Sequence, residues 1–384
     1  MKLCKLCKEN LDSKPVFTLP DIPNAQGFVT EKGKTPLCLE LFQCKHCGLV
    51  QLACKPVNYY KEVIRATSVS KEMRALRLAQ FRRFFKKYKC KKTVEIGSGT
   101  GDYLEILTEV NKNSFGLEAG KKNINICQDK GLKVFEGYLD KENKKIQKAP
   151  YDSFIMMNFL EHFPRPLTAL KAIWNNLTDN AFGIVEVPNF EETVKENNFL
   201  DFVPDHLLYF TKDTLSLMLG LAGFEVIEIR SVFHNYILQA EVKKSVPLSC
   251  AAFKSEVIKN KKQIENLLKK FPAKQLAIWG AGHQSLSLMS ICGLNDKKIK
   301  YVIDSAPFKQ NKLTPATFIP VVSPAVLLFS PPAATLRGVN TYAKPKAILV
   351  IAGGYTKEIV KQIKSYGLKI QIFTFDKGVL LNES

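Results

Sequence analysis

The segment from Val94 to Asp102 constrains the fold of this chain more than any other. It reads Val-Glu-Ile-Gly-Ser-Gly-Thr-Gly-Asp, a short apolar run followed by three glycines at alternate positions. Because glycine adopts backbone dihedrals that other residues avoid, this pattern predicts a strand, a sharp turn and then a helix. Such a unit is typical of a parallel sheet wound with helices.

Strand-like apolar runs alternate with helical patterns around this turn. A basic amphipathic helix is predicted first, over residues 71–88. The strands predicted after it are 92–97, 114–117, 153–157 and 183–187, and the helices are 103–110, 166–176 and 212–221. This alternation predicts a parallel sheet with helices on both faces.

A second, smaller run of strands follows a lysine-rich helical pattern over residues 253–271. Its predicted strands are 276–279, 301–304 and 347–351. The first leads into Gly280-Ala281-Gly282-His283, which has the form of a phosphate-binding turn but no proper third glycine. The turn therefore gives only a weak indication of a cofactor, and we expect this domain to help close over a substrate.

Four cysteines near the N-terminus form two Cys-x-x-Cys pairs. Cys4 and Cys7 are separated by 36 residues from Cys44 and Cys47. Two such pairs supply four thiolates in a tetrahedron, the arrangement that structural zinc prefers, and they leave no coordination position open for a water. The sequence predicts a structural zinc site in a loop-rich module. The domains are then predicted as 1–70, 71–250 and 251–384.

The composition is that of a folded protein with a large excess of lysine. The formal net charge is +20, yet only 8 of the 56 basic residues are arginine. The densest basic cluster lies on the predicted helix 71–88 and just after it, where we expect a solvated basic face rather than a nucleic-acid site. With no apolar run of eighteen residues and no apolar segment at the start, we expect a cytoplasmic protein outside the membrane.

Two acidic residues accompany the glycine-rich turn. Glu95 lies within the strand before it, and Glu118 ends the next strand, 21 residues after Gly97. A carboxylate at that position can accept hydrogen bonds from both hydroxyls of a ribose. Spacing alone leaves a dinucleotide and S-adenosylmethionine both open, and the acidic positions favour the latter.

The segment resembles the first motif, (D/E)xGxGxG, of the class I S-adenosylmethionine-dependent methyltransferases. The resemblance implies that Gly97, Gly99 and Gly101 approach the cofactor closely, that Glu118 binds its ribose and that Glu95 acts indirectly near its methionine ammonium. Residues 152–162 resemble the family's fourth motif, which makes Met157 and Asn158 cofactor-binding candidates. His162, in the same segment, is a candidate base or simply a residue that starts a helix.

Both ends of the chain narrow the resemblance further. Residues 4–51 resemble the zinc-binding module of the deoxysugar C-methyltransferases, which act on nucleotide-linked 4-keto sugars. Residues 279–282, 303–310 and 318–324 resemble, in the same order, the C-terminal domain of those enzymes. The implied fold class is α/β, with an N-terminal zinc-binding module, a central Rossmann-like methyltransferase domain and a smaller C-terminal Rossmann-like domain.

The catalytic stretch of that family is matched only in part. His206 stands at the position of the family's histidine, Asp205 replaces its glutamate and Val203 its tyrosine. A second tyrosine, expected just before Ser68, is absent, since residues 64–66 are Ile-Arg-Ala. A histidine oriented by a neighbouring carboxylate suits removal of a proton alpha to a ketone. We therefore predict His206 as the base and Asp205 as the residue that orients it.

Asn189 follows a proline at a position where the family contacts its sugar, so it is a candidate substrate ligand or a turn residue.

The predicted activity is methyl transfer from S-adenosylmethionine to a nucleotide-linked sugar, at a carbon alpha to a ketone. The missing tyrosines keep transfer to oxygen or nitrogen of a sugar or another small phosphorylated metabolite open. An RNA or protein methyltransferase and a non-enzymatic scaffold are further alternatives. The oligomeric state is left open.

Overall fold

The computed structural model describes residues 2–23, 37–61, 69–328 and 344–383. Its contacts divide the chain into two compact units, Met1–Pro247 and Leu248–Ser384. Both units are of the predicted α/β class. The second tyrosine position discussed above, before Ser68, lies outside the described residues.

The first unit contains a seven-stranded sheet with the order β10-β11-β8-β7-β4-β5-β6. Its strands are β4 (Thr93–Ile96), β5 (Ser114–Glu118), β6 (Val134–Glu136), β7 (Tyr151–Met157), β8 (Leu177–Pro188), β10 (Phe224–Val232) and β11 (Ile237–Lys244). The helices are α1 (Lys71–Tyr88), α2 (Asp102–Val110), α3 (Lys121–Asp129), α4 (Pro166–Asn175), α5 (Phe190–Lys195) and α6 (Lys212–Leu221).

The predicted strands and helices of this unit are confirmed to within a few residues, with one exception in length and one in direction. β8 begins six residues before the predicted start, because Leu177 already pairs with Tyr151 of β7. β10 and β11 run antiparallel to each other, and β11 runs antiparallel to β8, so the sheet is not wholly parallel as predicted. A tight turn at residues 233–235 joins β10 directly to β11, which requires an antiparallel pair.

A small sheet joins the cysteine-bearing segment to a distant part of the same unit. Its order is β1 (Phe17–Ile22), β2 (Leu37–Gln43), β3 (Val50–Leu52) and β9 (Leu208–Tyr209). In the last pair Val50 lies opposite Tyr209, and Gln51 lies opposite Leu208. The N-terminal segment therefore supplies β3, the strand that pairs with the strand after His206.

Helix α1 was predicted to carry a solvated basic face, and that prediction is wrong for its central arginine. Arg77 is fully buried and forms an ion pair with Glu186 of β8 at 2.7 Å. Glu186 also accepts hydrogen bonds from the side chains of Gln80, at 2.6 Å, and Gln239, at 2.7 Å. Nearer the C-terminal end of the helix, Arg83 pairs with Glu241. Much of the basic charge on α1 is thus used within the protein, because acidic residues of the sheet lie beneath the helix.

The second unit has a six-stranded sheet with the order β14-β13-β12-β15-β16-β17. Its elements are α7 (Ala252–Lys270), β12 (Leu276–Trp279), α8 (His283–Ile291), β13 (Ile299–Ile303), β14 (Val321–Val322), β15 (Ala347–Val350), α9 (Thr356–Ser365), β16 (Gln371–Asp376) and β17 (Val379–Asn382). Five of the strands are parallel, and β17 is antiparallel to β16. Among the described residues of both units, no helix combines the length and the apolar character needed to cross a membrane.

Candidate active site

The glycine-rich turn lies at the carboxyl end of β4, where the order of the sheet changes direction. The chain passes from β4 to β5 and β6 on one side and then to β7 and β8 on the other. Crevices at such switch points are where ligands bind in sheets of this kind. Gly97, Gly99 and Gly101 all have positive φ, at 75°, 53° and 84°, which explains why the sequence places glycine at each of them.

Glu118 ends β5 directly beside this turn. Its Oε2 accepts a hydrogen bond from the backbone N–H of Gly99, and its Oε1 accepts one from the N–H of Gly120, both at 2.8 Å. Burial raises the pKa of the Glu118 carboxyl above its ordinary value. Oε1 also accepts from the side chain of Asn123 at 3.4 Å, so Oε2 is the oxygen that can accept a further hydrogen bond from a ribose hydroxyl.

Three other predicted cofactor residues surround the same edge of the sheet. Glu95 and Met157 are buried within β4 and β7. Asn158, the first residue after β7, has φ of 47° and donates its backbone N–H to the carbonyl of Glu186 at 2.9 Å. The structure therefore brings these residues to the carboxyl ends of adjacent strands, and their contact with a cofactor stays a prediction.

Phe159 is a site residue that sequence reasoning missed. A methyl group added to Gly97 would lie 2.3 Å from a carbon of the Phe159 ring, so the ring packs directly against the turn. The cavity beside Gly97 measures only about 10 Å³. A ligand that approaches Gly97 must therefore meet Phe159. The signal was its position next to Asn158 in the fourth motif.

Two histidines from distant segments meet beside Phe159. The rings of His162 and His206 lie 4.8 Å apart, edge to face, and the ring of His162 lies 6.1 Å from that of Phe159. The backbone N–H of Leu207 donates to the carbonyl of Glu161 at 2.9 Å and so ties the two segments together. The turn, Phe159 and the two histidines form one continuous group of side chains.

Asp205 does not orient His206 as predicted. The Nδ1–H of His162 donates to the backbone carbonyl of Asp205 at 2.8 Å, and the Asp205 carboxylate lies 4.0 Å from the same nitrogen. No hydrogen bond joins this carboxylate to His206 in the part of the chain that the structure describes. The histidine that contacts Asp205 is therefore His162.

Burial determines the charge of these groups. It lowers the pKa of His162 below 6.5 and that of His206 well below 6.5. Both imidazoles are therefore neutral at pH 7. Because Nδ1 of His162 carries the donated hydrogen, its Nε2 is the nitrogen with a free lone pair. His206 can likewise accept a proton through one ring nitrogen.

Glu161 is buried between these histidines and the sheet. It is 1% exposed, and neither carboxylate oxygen has a hydrogen-bond partner among the described residues. Burial raises the pKa of its carboxyl to about 8. Glu161, His162 and His206 each place one ligand-type atom within 4.8 Å of the others, a set that could also hold a divalent metal ion.

Asn189 has its side-chain atoms occupied by the protein. It caps helix α5, with Oδ1 accepting from the N–H of Glu191 at 3.2 Å. Its Nδ2 donates to the carbonyl of Asn235 at 2.7 Å, and the residue is 4% exposed. These contacts correspond to the turn interpretation of this residue, and its contact with a substrate stays a prediction.

The four predicted zinc ligands do come together. Sγ of Cys4 lies 3.5 Å from that of Cys47, and Sγ of Cys7 lies 3.5 Å from that of Cys44. All four sulfur atoms lie within 4.8 Å of one another. A tetrahedral zinc with bonds of about 2.3 Å separates its sulfur ligands by roughly 3.8 Å, so the cluster fits this ion.

Comparison with known proteins agrees with this arrangement. Residues 69–229 match the family described as methyltransferase domain, and residues 236–373 match the C-methyltransferase C-terminal domain. The two matches describe a methyltransferase domain followed by a C-methyltransferase C-terminal domain, in agreement with the S-adenosylmethionine-dependent methyltransferase that the sequence predicted. The C-terminal part of the chain, more particularly, is a domain of the C-methyltransferases.

One curated relative is the C-methyltransferase NovU of Streptomyces niveus. It is 23% identical over 260 residues, which cover 60% of this chain and 62% of NovU, less than two thirds of that protein. Among solved structures, a SAM-dependent methyltransferase from Aquifex aeolicus is 18% identical, with a TM-score of 0.36, and the match covers 44% of this chain and 92% of that one. The plantazolicin methyltransferase BpumL in complex with SAH is 13% identical, with a TM-score of 0.38 and coverage of 46% and 86%.

Proposed function

We propose that this protein transfers a methyl group from S-adenosylmethionine to a carbon atom of a nucleotide-linked sugar, alpha to a ketone. The observation that carries the proposal is the pair of histidines, His162 and His206, that lies beside the glycine-rich turn. Carbon transfer is favoured by the C-methyltransferase C-terminal domain and by the similarity to NovU. The substrate class comes from the family resemblance of the sequence, and a cytoplasmic location suits such a substrate.

The residues that would hold S-adenosylmethionine are those of the turn and the neighbouring strand ends. Glu118 binds the ribose, the glycines allow close approach of the ligand to the backbone, and Glu95, Met157 and Asn158 line the methionine end. The cofactor, when bound, supplies an electrophilic methyl group. The remaining chemistry falls to the protein, which must remove a proton from the acceptor.

His206 is the proposed base. A base must be unprotonated before the reaction, and burial keeps His206 in that state at neutral pH. His162 lies beside it as a second neutral imidazole, held in one orientation by the carbonyl of Asp205. Asp205 is thereby a positioning residue for His162, a revision of the role predicted from the sequence.

The four cysteines, in our proposal, bind one structural zinc ion. Cys4 and Cys44 are buried and all four cysteines are free of disulfides. Four thiolate ligands complete the coordination of zinc, so the ion holds the two loops together and takes no part in methyl transfer. Metal analysis of protein purified without chelator should give about one equivalent of zinc.

Transfer to oxygen or nitrogen is the second candidate, and it rests on one observation. Tyr209, the tyrosine near His206, has its hydroxyl engaged with the backbone of Val203, at 3.2 Å from its N–H and 3.3 Å from its carbonyl oxygen. Its hydroxyl is therefore not available to stabilise an enolate, which carbon methylation requires. A heteroatom acceptor does not pass through an enolate.

Solvent deuterium exchange separates the two candidates. Nucleotide-linked 4-keto sugars are incubated with the protein in deuterated buffer, and methylation and deuterium incorporation are both read by mass. Carbon transfer predicts exchange at the carbon alpha to the ketone that is lost in His206→Ala. His234→Ala is the matched control, since His234 is exposed and pairs with Glu72 away from the site.

The outcomes are distinct. Methylation without exchange would establish a heteroatom acceptor. Exchange that persists in His206→Ala but is lost in His162→Ala would assign the base to His162. A product methylated only on RNA or protein would replace the small-molecule substrate altogether.

A further inference from the structure

The second unit contains a cavity of about 580 Å³ at the carboxyl ends of its parallel strands. Trp279 ends β12, Asp304 follows β13 and Ile351 follows β15, and all three line the cavity. The chain passes from β12 to β13 and β14 on one side and to β15 and β16 on the other. The cavity therefore lies at the switch point of this sheet, where ligands bind in folds of this type.

The carboxylate in this cavity repeats the contacts of Glu118 in the first unit. Oδ2 of Asp304 accepts from the backbone N–H of Ala281 in the glycine turn, at 2.8 Å, and Oδ1 accepts from the N–H of Ala306, at 2.9 Å. Glu118 likewise accepts from its own glycine turn and from the N–H two residues later. Oδ2 also accepts from the ammonium of Lys309, so Oδ1 is the oxygen of Asp304 that can accept a further hydrogen bond from a hydroxyl of a nucleoside sugar.

The cavity of the second unit also contains a cationic side chain. The ammonium of Lys309 lines the cavity and lies 3.0 Å from Oδ2 of Asp304. The N-terminus of α8 opens into the same space, and a side-chain carbon at Gly282 would meet nothing within 4 Å. A lysine beside a free helix N-terminus favours an anionic group such as a phosphate. The carboxylate of Glu358 also lines the cavity, so the anion would lie on the Lys309 side.

Two further side chains point to an occupant of this cavity. Ser285 is fully buried and lines it, yet its hydroxyl has no hydrogen-bond partner among the described residues. Burying a hydroxyl without a hydrogen-bond partner costs free energy, unless a ligand or a water molecule bonds to it. Tyr355, also in the lining, is 70% exposed and offers an aromatic face to a flat ring.

The geometry points to a nucleoside diphosphate site in the C-terminal unit, with Asp304 on the sugar, Lys309 and the N-terminus of α8 on the phosphates, and Ser285 as a further polar contact. The inference does not rest on the proposed function, since the residues that form this site all belong to the second unit. Binding itself is independent of methyl transfer.

Calorimetric titration of the full chain tests this site. The protein is first saturated with S-adenosylhomocysteine and then titrated with UDP, GDP, CDP and dTDP. We expect one equivalent of at least one nucleoside diphosphate to bind. Lys309→Gln should weaken that binding about tenfold or more through loss of a charged hydrogen-bond donor, and Lys309→Arg should retain most of it.

Control variants keep the test decisive. Lys297→Gln removes an exposed lysine of the same unit and should leave the affinity unchanged. Ser285→Ala provides a second, uncharged probe of the cavity and should weaken binding severalfold. Circular dichroism of each variant checks that it is folded.

Three results would overturn the inference. The first is that protein which binds S-adenosylhomocysteine binds no nucleotide. The second is that nucleotide binding is unchanged in both Lys309→Gln and Ser285→Ala. The third is that a second equivalent of S-adenosylhomocysteine binds in place of the nucleotide. A protein that binds a nucleoside diphosphate but methylates none of the tested sugars would refute the proposed function and leave this site standing.

Discussion

The buried ion pair between Arg77 and Glu186 allows a quantitative test of how helix α1 is held on the sheet. Both side chains are completely buried, and their charged atoms lie 2.7 Å apart. Arg77→Met removes one charge while keeping an unbranched apolar side chain in the same space. The carboxylate of Glu186 then stays buried without its counter-charge, which typically costs about 3–5 kcal/mol of unfolding free energy.

The same helix offers a matched control. Arg74 pairs with Glu109, and both side chains are almost half exposed. Exposed ion pairs contribute less than about 1 kcal/mol because water and salt screen them, so Arg74→Met should change stability only slightly. In the double variant Arg77→Met/Glu186→Gln, no charge is left buried, and much of the loss should be recovered.

Urea unfolding followed by tryptophan fluorescence measures these differences. The chain has two tryptophans, Trp174 in the first unit and Trp279 in the second. In a Trp279→Phe background, the signal reports the first unit alone, which avoids mixing two transitions. If Arg77→Met costs no more than Arg74→Met, or if the double variant is as unstable as the single one, then the buried charge does not control the docking of α1.

Three other predictions concern the site. Glu161→Gln should be about as stable as the native protein at pH 4.5 and increasingly more stable up to pH 8. Over that window the native carboxyl, with its pKa raised to about 8, keeps its proton while the unfolded chain loses it, so the native protein loses stability as pH rises and the amide variant does not. A difference in thermal midpoint that does not change with pH would contradict this. The acidic limb of the kcat/KM profile should lie below pH 6.5, because burial lowers the pKa of His206 and a base must be neutral to act; a limb at or above 6.5 would exclude this histidine. Cys4→Ser should lower bound zinc below about half an equivalent and reduce the stability of the small sheet, while Cys250→Ser, at an exposed cysteine, should change neither the metal content nor the melting curve.

The elements of the fold were predictable because each depends on neighbouring residues. The glycine turn at Gly97–Gly101, the end of the strand before it and the start of the helix after it are specified by the segment from Val94 to Asp102. The cysteine pairs were predictable for the same reason, since two residues of spacing within each pair define a metal-binding loop. The strands and helices that periodicity did predict were located to within a few residues, apart from the start of β8.

The parts that were missed depend on contacts between distant residues. Arg77 looked like one more surface cation, because its partner Glu186 lies 109 residues away. Asp205 was assigned to His206 because the two are adjacent in sequence, whereas its backbone carbonyl accepts a hydrogen bond from His162, 43 residues earlier, and its carboxylate lies 4.0 Å from the same histidine. No local pattern contains this information, since it arises only when separate strands are assembled side by side.

The small sheet links the cysteine-bearing N-terminal segment to the segment that carries His206, because β3 of the first pairs with β9 of the second. The side chain of Gln51 accepts from the N–H of Lys5 at 2.7 Å and donates to the carbonyl of Leu3, and the backbone of Gln51 pairs with Leu208, two residues after His206. A shortened protein that begins at helix α1 would keep every residue of the cofactor turn and both histidines. It would still lose β3, the strand that pairs with the segment after His206. The shortened protein should therefore bind the cofactor but fail to catalyse methyl transfer.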